Sequence, residues 1–118
     1  MRLGLVGECR PMTSKFVVVF VTVGDYTEAQ SIARKLVEDS LAACVGMVRQ
    51  SSIYRWKDEI VEDNEILLII KTRQDYFHKL RDAVLSMHSY DVPEIISFEI
   101  QEGYEAYLNW ITENVGLK

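Results

Sequence analysis

Hydrophobic positions along the chain fall into blocks whose periods differ enough to name the elements. Phe16-Val-Val-Val-Phe-Val-Thr-Val23 is a continuous β-branched and aromatic run, the pattern of a strand covered on both faces. Gly24 breaks it and Asp25 is placed to cap a helix. Ala29, Ile32, Ala33, Leu36 and Val37 then recur at three-and-four spacing, with Glu28, Gln30, Ser31, Arg34, Lys35 and Glu38 on the opposite side. The stretch from Ala43 to Trp56 ends in Ser52-Ile-Tyr-Arg-Trp56, whose apolar members suit a strand. Lys57-Asp58 reverses the chain into Glu59-Ile-Val61 and makes a hairpin arm, since Asp tolerates the left-handed conformation. Glu65 to Thr72, built around Ile66-Leu-Leu-Ile-Ile70, is dense enough for an interior strand. Thr72 and Asp75 give a cap signature before a second helix in which Phe77, Leu80, Val84 and Met87 face inward. Pro93 forces Val92 extended, and Glu94 to Gln101 alternates, with Ile96, Phe98 and Ile100 on one face of a half-buried fourth strand. Beyond Gly103, Tyr104, Tyr107, Leu108 and Ile111 mark a short C-terminal helix.

The order strand, helix, strand, strand, helix, strand, with a terminal helix added, predicts an α+β domain of the ferredoxin-like, split βαβ type with a long hairpin arm. Two helices cover one face of a four-stranded antiparallel sheet. The second face of so small a chain needs another cover, and strands apolar on both sides predict that other subunits supply it.

Length and charge narrow the picture. The 118 residues suit one core, with 48% hydrophobic and 26% charged positions excluding a disordered or fibrous chain. Residues 1–14 read as a poorly ordered leader and 15–118 as the single domain. Thirteen Lys and Arg against eighteen Asp and Glu leave a formal charge of −5, which argues against nucleic acid as a partner. No apolar run approaches the ~20 residues of a membrane-spanning helix, so no membrane insertion is expected. Cys9 and Cys44 are too few for a disulfide scaffold and fit no structural zinc spacing, which points to reduced thiols in the cytoplasm. Cys44, among Ala42, Ala43 and Val45, reads as an inert core thiol.

Candidate chemistry gathers around the second helix and the arm. His88 follows Val84 by one helical turn and Glu94 lies across the Pro93 break. An imidazole and a carboxylate so placed suit a divalent cation, Cu²⁺ over Mg²⁺ because of the nitrogen ligand. Equally, His88 suits the helix C-terminus and Glu94 an ion pair with a nearby cation. Tyr54 and Trp56 alternate with Arg55 and Lys57, the spacing of one face of an arm packed on a neighbouring subunit. The acidic run Asp58, Glu59, Glu62, Asp63 and Glu65 argues against base stacking by those aromatics and reads as a solvated face. No Gly-rich phosphate loop and no nucleophile elbow is present, and nothing demands an enzyme.

Several blocks together resemble one family: Leu41-Ala-Ala-Cys-Val45, Ser52-Ile-Tyr-Arg-Trp-Lys57, Val61-Glu-Asp-Asn-Glu65, Lys71-Thr72, His88-Ser-Tyr-Asp-Val-Pro-Glu-Ile95 and Tyr107-Leu-Asn-Trp110. In order and spacing, from about Phe16 to Asn114, they are similar to the CutA-type divalent-cation tolerance proteins. The resemblance implies a ferredoxin-like subunit in a compact homotrimer whose arms reach across to neighbours. It implies a small non-enzymatic protein that binds divalent cations, copper foremost, with His88 and Glu94 as metal residues and Tyr54 and Trp56 at the subunit interface. The alternative is a trimeric regulatory module that acts through its hairpin. Three positions depart from the family pattern: Ser89 where Pro is frequent, Asp58 where Gly is frequent in the turn, and Val21 where copper-linked members carry a cysteine.

Overall fold

The computed structural model describes residues 15–117, so the expected leader over 1–14, with Cys9, lies outside the described residues. The expected elements appear in the expected order: β1 (Phe16–Val23), α1 (Tyr26–Glu38), β2 (Cys44–Trp56), β3 (Glu59–Arg73), α2 (Phe77–Met87), β4 (Ile95–Glu99) and α3 (Glu105–Glu113). The strands form one sheet in the order β2-β3-β1-β4, each neighbouring pair antiparallel. This is the ferredoxin-like α+β arrangement read from the pattern.

Along β1, Val17, Val19, Val21 and Val23 are at most 3% exposed. They meet Ile66, Leu68 and Ile70 of β3, Ala29, Ile32 and Leu36 of α1, and Leu80 and Val84 of α2 in one core. α1 begins where Asp25 accepts hydrogen bonds from the Thr27 and Glu28 amides at 3.2 and 3.1 Å. A carboxylate there satisfies two amides that lack helical partners and opposes the helix dipole.

Three differences from the sequence reading have physical causes. First, β3 is one continuous strand of 15 residues rather than an arm and a separate strand. The acidic residues between them stay in the ladder because β2 is paired opposite throughout, from Cys44↔Lys71 to Trp56↔Glu59. At the reversal Lys57 (φ 52°) joins Asp58 (φ 70°) in the left-handed region, as a two-residue turn matching strand twist requires. Second, Thr72 does not cap α2. It is fully buried in β3, where its hydroxyl donates to the Leu41 carbonyl at 2.8 Å. Asp75 is instead held by the Arg73 guanidinium, and a single 3₁₀ turn, Gln74–Tyr76, leads into α2 with no side-chain cap. Third, α3 is more than an appendage. Ile111, fully buried, packs with Ala43, Val115, Leu108, Phe16 and Tyr76 in a small second core at one end of the sheet.

The side of the sheet away from α1 and α2 remains open. Val48, Ile96 and Phe98 there are 47%, 44% and 48% exposed, with Phe98 tilted against Phe20 at 5.0 Å between ring centroids.

Candidate functional site

α2 ends at His88, whose amide donates to the Val84 carbonyl at 2.9 Å while its backbone turns extended (φ −84°, ψ 140°). That turn folds the imidazole inward, and its side chain is 1% exposed. Nε2 lies 2.7 Å from the Thr22 carbonyl, and the Tyr90 amide donates to Nδ1 at 3.1 Å. A carbonyl can only accept and an amide N–H can only donate, so the tautomer that satisfies both carries its proton on Nε2. His88 thereby ties the loop after α2 to the end of β1. Ser89 adds a second tie, its amide and hydroxyl donating to Glu28 of α1 at 2.8 and 2.9 Å. The departure at Ser89 from the family's frequent proline thus supplies an N–H and an O–H that proline lacks.

Tyr90 then stacks against His88 at 4.8 Å between ring centroids, tilted, and its hydroxyl donates to Glu65 Oε2 at 2.8 Å. Burial, reinforced by that hydrogen bond, pushes the Tyr90 hydroxyl well above the ordinary tyrosine range. Close packing at the end of β1 continues onto Gly24, where an added Cβ would stand 3.0 Å from the Tyr90 hydroxyl. On the arm, the Tyr54 hydroxyl donates to Asp63; that bond, more than burial, raises Tyr54 to about 12.

Between the loop and the root of the arm lies a cleft of about 600 Å³, bordered by Thr22, Ser52, Tyr54, Trp56, Glu65, Tyr90, Asp91 and Glu94. Glu94 is therefore at the cleft, whereas His88 is not among its lining residues and stands behind Tyr90 with both ring nitrogens engaged. Among the described residues, no three His, Cys, Asp or Glu side chains are gathered as a metal-ligand set. Tyr54 and Trp56 are 37% and 41% exposed in the single chain, and Lys57 Nζ lies 5.8 Å from the Trp56 ring centroid.

Glu65, which lines the cleft and accepts from Tyr90, is the residue that the sequence reading did not place there. It was expected in a solvated acidic face, yet it is 6% exposed. Pleating carries a usable signal: Glu65, Leu67 and Ile69 share a side of β3, so this carboxylate continues an apolar row rather than the outer edge of an acidic loop.

Comparison with known proteins places this geometry in a family. The family model of the CutA1 divalent ion tolerance protein matches residues 17–114. The divalent-cation tolerance protein CutA of Thermus thermophilus is 49% identical over 100 residues, covering 84% of this chain and 97% of that protein. Protein CutA of Homo sapiens is 43% identical over 95 residues, covering 80% of this chain but only 53% of its own length; for a CutA homolog of Xenopus laevis that last share is 64%. The chain thus spans about half to two thirds of those animal relatives. Among solved structures, the divalent cation tolerance protein of Thermus thermophilus superposes with a TM-score of 0.83 at 48% identity, covering 86% of this chain and 99% of that one. CutA1 from Oryza sativa gives 0.84 at 38% identity, covering 87% and 95%. With the ferredoxin-like sheet, the long arm and the His88 loop in place, the chain belongs to the CutA1 divalent ion tolerance protein family.

Proposed function

We propose that the chain works as a cytoplasmic homotrimer that binds divalent cations, copper among them, and takes part in metal tolerance as a binding protein rather than an enzyme. One observation carries the assembly: large apolar side chains, Val48, Ile96 and Phe98, stand half exposed on a side of the sheet that α1 and α2 leave open. Burying such a face is worth roughly 25 cal/mol per Å², and a contiguous apolar patch of this kind marks an interface. Tyr54 and Trp56, on the arm bordering that side, belong to the same contact.

Support for the cation comes from relatives named for divalent-cation tolerance and from the carboxylates of Asp91 and Glu94 at the cleft. For His88 to ligate, one ring nitrogen has to give up a backbone partner, either the Tyr90 amide or the Thr22 carbonyl. A copper ion held by His88 and Glu94 therefore pays for a rearranged loop, and it draws its remaining ligands from water or a neighbouring subunit. Light scattering at micromolar concentration is expected to give three times the chain mass; a monomer overturns the assembly. Cu²⁺ calorimetry is expected to weaken in Glu94→Gln and to vanish in His88→Ala. Unchanged affinity in both variants removes the cation from this loop and leaves His88 as a structural tie.

A second reading, a regulatory module, is favoured by the arm itself. Ile53 and Ile60 on it are 68% and 64% exposed, and the molecule extends to 57 Å along its longest axis. Trimming the arm would then abolish capture of a protein partner while leaving Cu²⁺ binding in place.

A further inference from the structure

We infer that Lys71 of one copy enters the cleft of the next and pairs there with Glu65, so that the same ion pair closes the ring of subunits at every contact. The inference rests on the trimer proposed above and adds which charges meet in it. Both residues lie on the open side of β3. Side chains alternate along a strand, and Ile66, Leu68, Ile70 and Thr72 are buried on the covered side, which puts Glu65, Leu67, Ile69 and Lys71 in one row on the other. That row reads as an acid, two apolar residues and a base.

Neither charge is matched within its own chain. Glu65 is 6% exposed and receives one hydrogen bond, from Tyr90 to Oε2, and among the described residues no Lys, Arg or His nitrogen comes within 4.0 Å of its carboxylate. Lys71 is half-buried between Val18 of β1 and Cys44 of β2, and among the described residues no carboxylate oxygen comes within 4.0 Å of its Nζ. The stretch of strand from Glu65 to Lys71 holds the two about 20 Å apart, too far for a pair in one chain. Covering the open side removes water from both, and a charge taken from water without a partner is costly.

Complementarity selects the partner. Asp91 and Glu94 also border the cleft that holds Glu65, and none of its lining residues is Lys, Arg or His. Among the cations of β2, β3 and their turn, Arg49 and Arg55 stand opposite Ile66 and Ile60 and so take the other side of the sheet. Arg73 is held by Asp75, and Lys57 lies over the Trp56 ring. Lys71 is left, on the face that meets another copy. Opposite ends of one row meet when successive copies are related head to tail, and such a contact makes a ring when its rotation closes. Leu67 and Ile69, between the two charges, are covered by the same contact.

The test measures trimer dissociation by light scattering over a dilution series of the full chain and its variants. Lys71→Met keeps the apolar stem and Glu65→Gln keeps an acceptor for Tyr90; far-UV circular dichroism checks the fold of each, with Lys71→Gln as a second variant at that position. Each single change is expected to raise the protein concentration at which the trimer dissociates by about tenfold or more, and the double variant is expected to raise it no further. An equimolar mixture of the two single variants is expected to form mixed trimers more stable than either alone, because Lys71 of a Glu65→Gln chain meets the intact Glu65 of a Lys71→Met chain. Unchanged dissociation in either single variant, effects that multiply in the double variant, or no gain on mixing overturns the inference. So does coupling of Lys71→Met to Glu94→Gln in place of Glu65→Gln. A monomeric wild-type chain fails the trimer and this inference together, whereas a wild-type trimer whose variants show multiplying effects fails this inference alone.

Discussion

On one side of β3, Ile66, Leu68 and Ile70 are at most 4% exposed beneath α1 and α2. On the other, the alternate positions of the same strand present Glu65, Leu67 and Ile69; only Glu65 is buried, and a tyrosine hydroxyl rather than a helix holds it. The covered side depends on area removed from water, which is non-directional and tolerant of exchange among apolar residues of similar volume. The cleft and the loop behind it depend on particular donors meeting particular acceptors: His88 on the Thr22 carbonyl, Tyr90 on Glu65. Losing one partner there leaves the other buried without a bond, so single changes act locally and out of proportion to the area involved.

The contrast breaks most visibly at Leu68. Leu68→Ala is expected to cost about 2–5 kcal/mol in denaturant unfolding, with the loss independent of protein concentration. Phe98→Ala, on the open side, is expected instead to lower the melting temperature in a concentration-dependent way, because what it removes is a contact between copies. Identical concentration dependence for the two variants would erase the distinction between the faces.

A smaller effect is expected from the loop. His88→Ala orphans the Thr22 carbonyl and the Tyr90 amide, at about 1–3 kcal/mol. Hydrogen exchange at the Tyr90 amide should quicken while amides of α1 keep their protection, and uniform quickening would mean that His88 supports the whole core.

Alkaline titration sharpens the polar side further. Tyr54, hydrogen-bonded to Asp63, is raised to about 12 from an ordinary 10. Its contribution to stability is fully present below pH 10, because both folded and unfolded chains then hold the proton, and it is lost as pH rises from 10 through about 12, where the unfolded chain ionises first. Ultraviolet difference spectra should show this phenolate appearing late, and Tyr54→Phe should delete that late step alone.

The smallest expected effect lies where β3 gives way to α2. Arg73, with its guanidinium on Asp75 at 3.0 and 2.8 Å, holds that carboxyl below the usual range. The pair stabilises above the unfolded carboxyl value and fades as pH falls through the depressed one. Its side chains are 20% and 35% exposed, so Arg73→Ala is expected to cost less than about 1 kcal/mol by thermal melting at neutral pH, and no measurable amount once Asp75 is protonated.

How much of this was legible from residue order depends on how far each cause acts along the chain. The valines of β1, the three-and-four spacing of α1 and the Lys57-Asp58 reversal were readable because periodicity and turn preference are local, and the sequence blocks around Tyr54, Trp56 and His88 were enough to name the family. Register and partner choice were not local. Thr72 looked like a cap until β3 carried it to the Leu41 carbonyl, 31 residues away. Glu65 looked solvated until the loop after α2 brought Tyr90 across a separation of 25 residues. His88 read equally as a ligand and as a helix-terminal residue, and nothing local showed that its ring would meet the Thr22 carbonyl, 66 residues distant. Sequence by itself thus determined the elements, their order and the apolar stripe each had to bury, because those follow from neighbours within a turn or a pleat. Only the tertiary structure decided which polar groups meet, since a hydrogen bond is set by ångström-scale approach between segments whose spacing the chain does not encode locally.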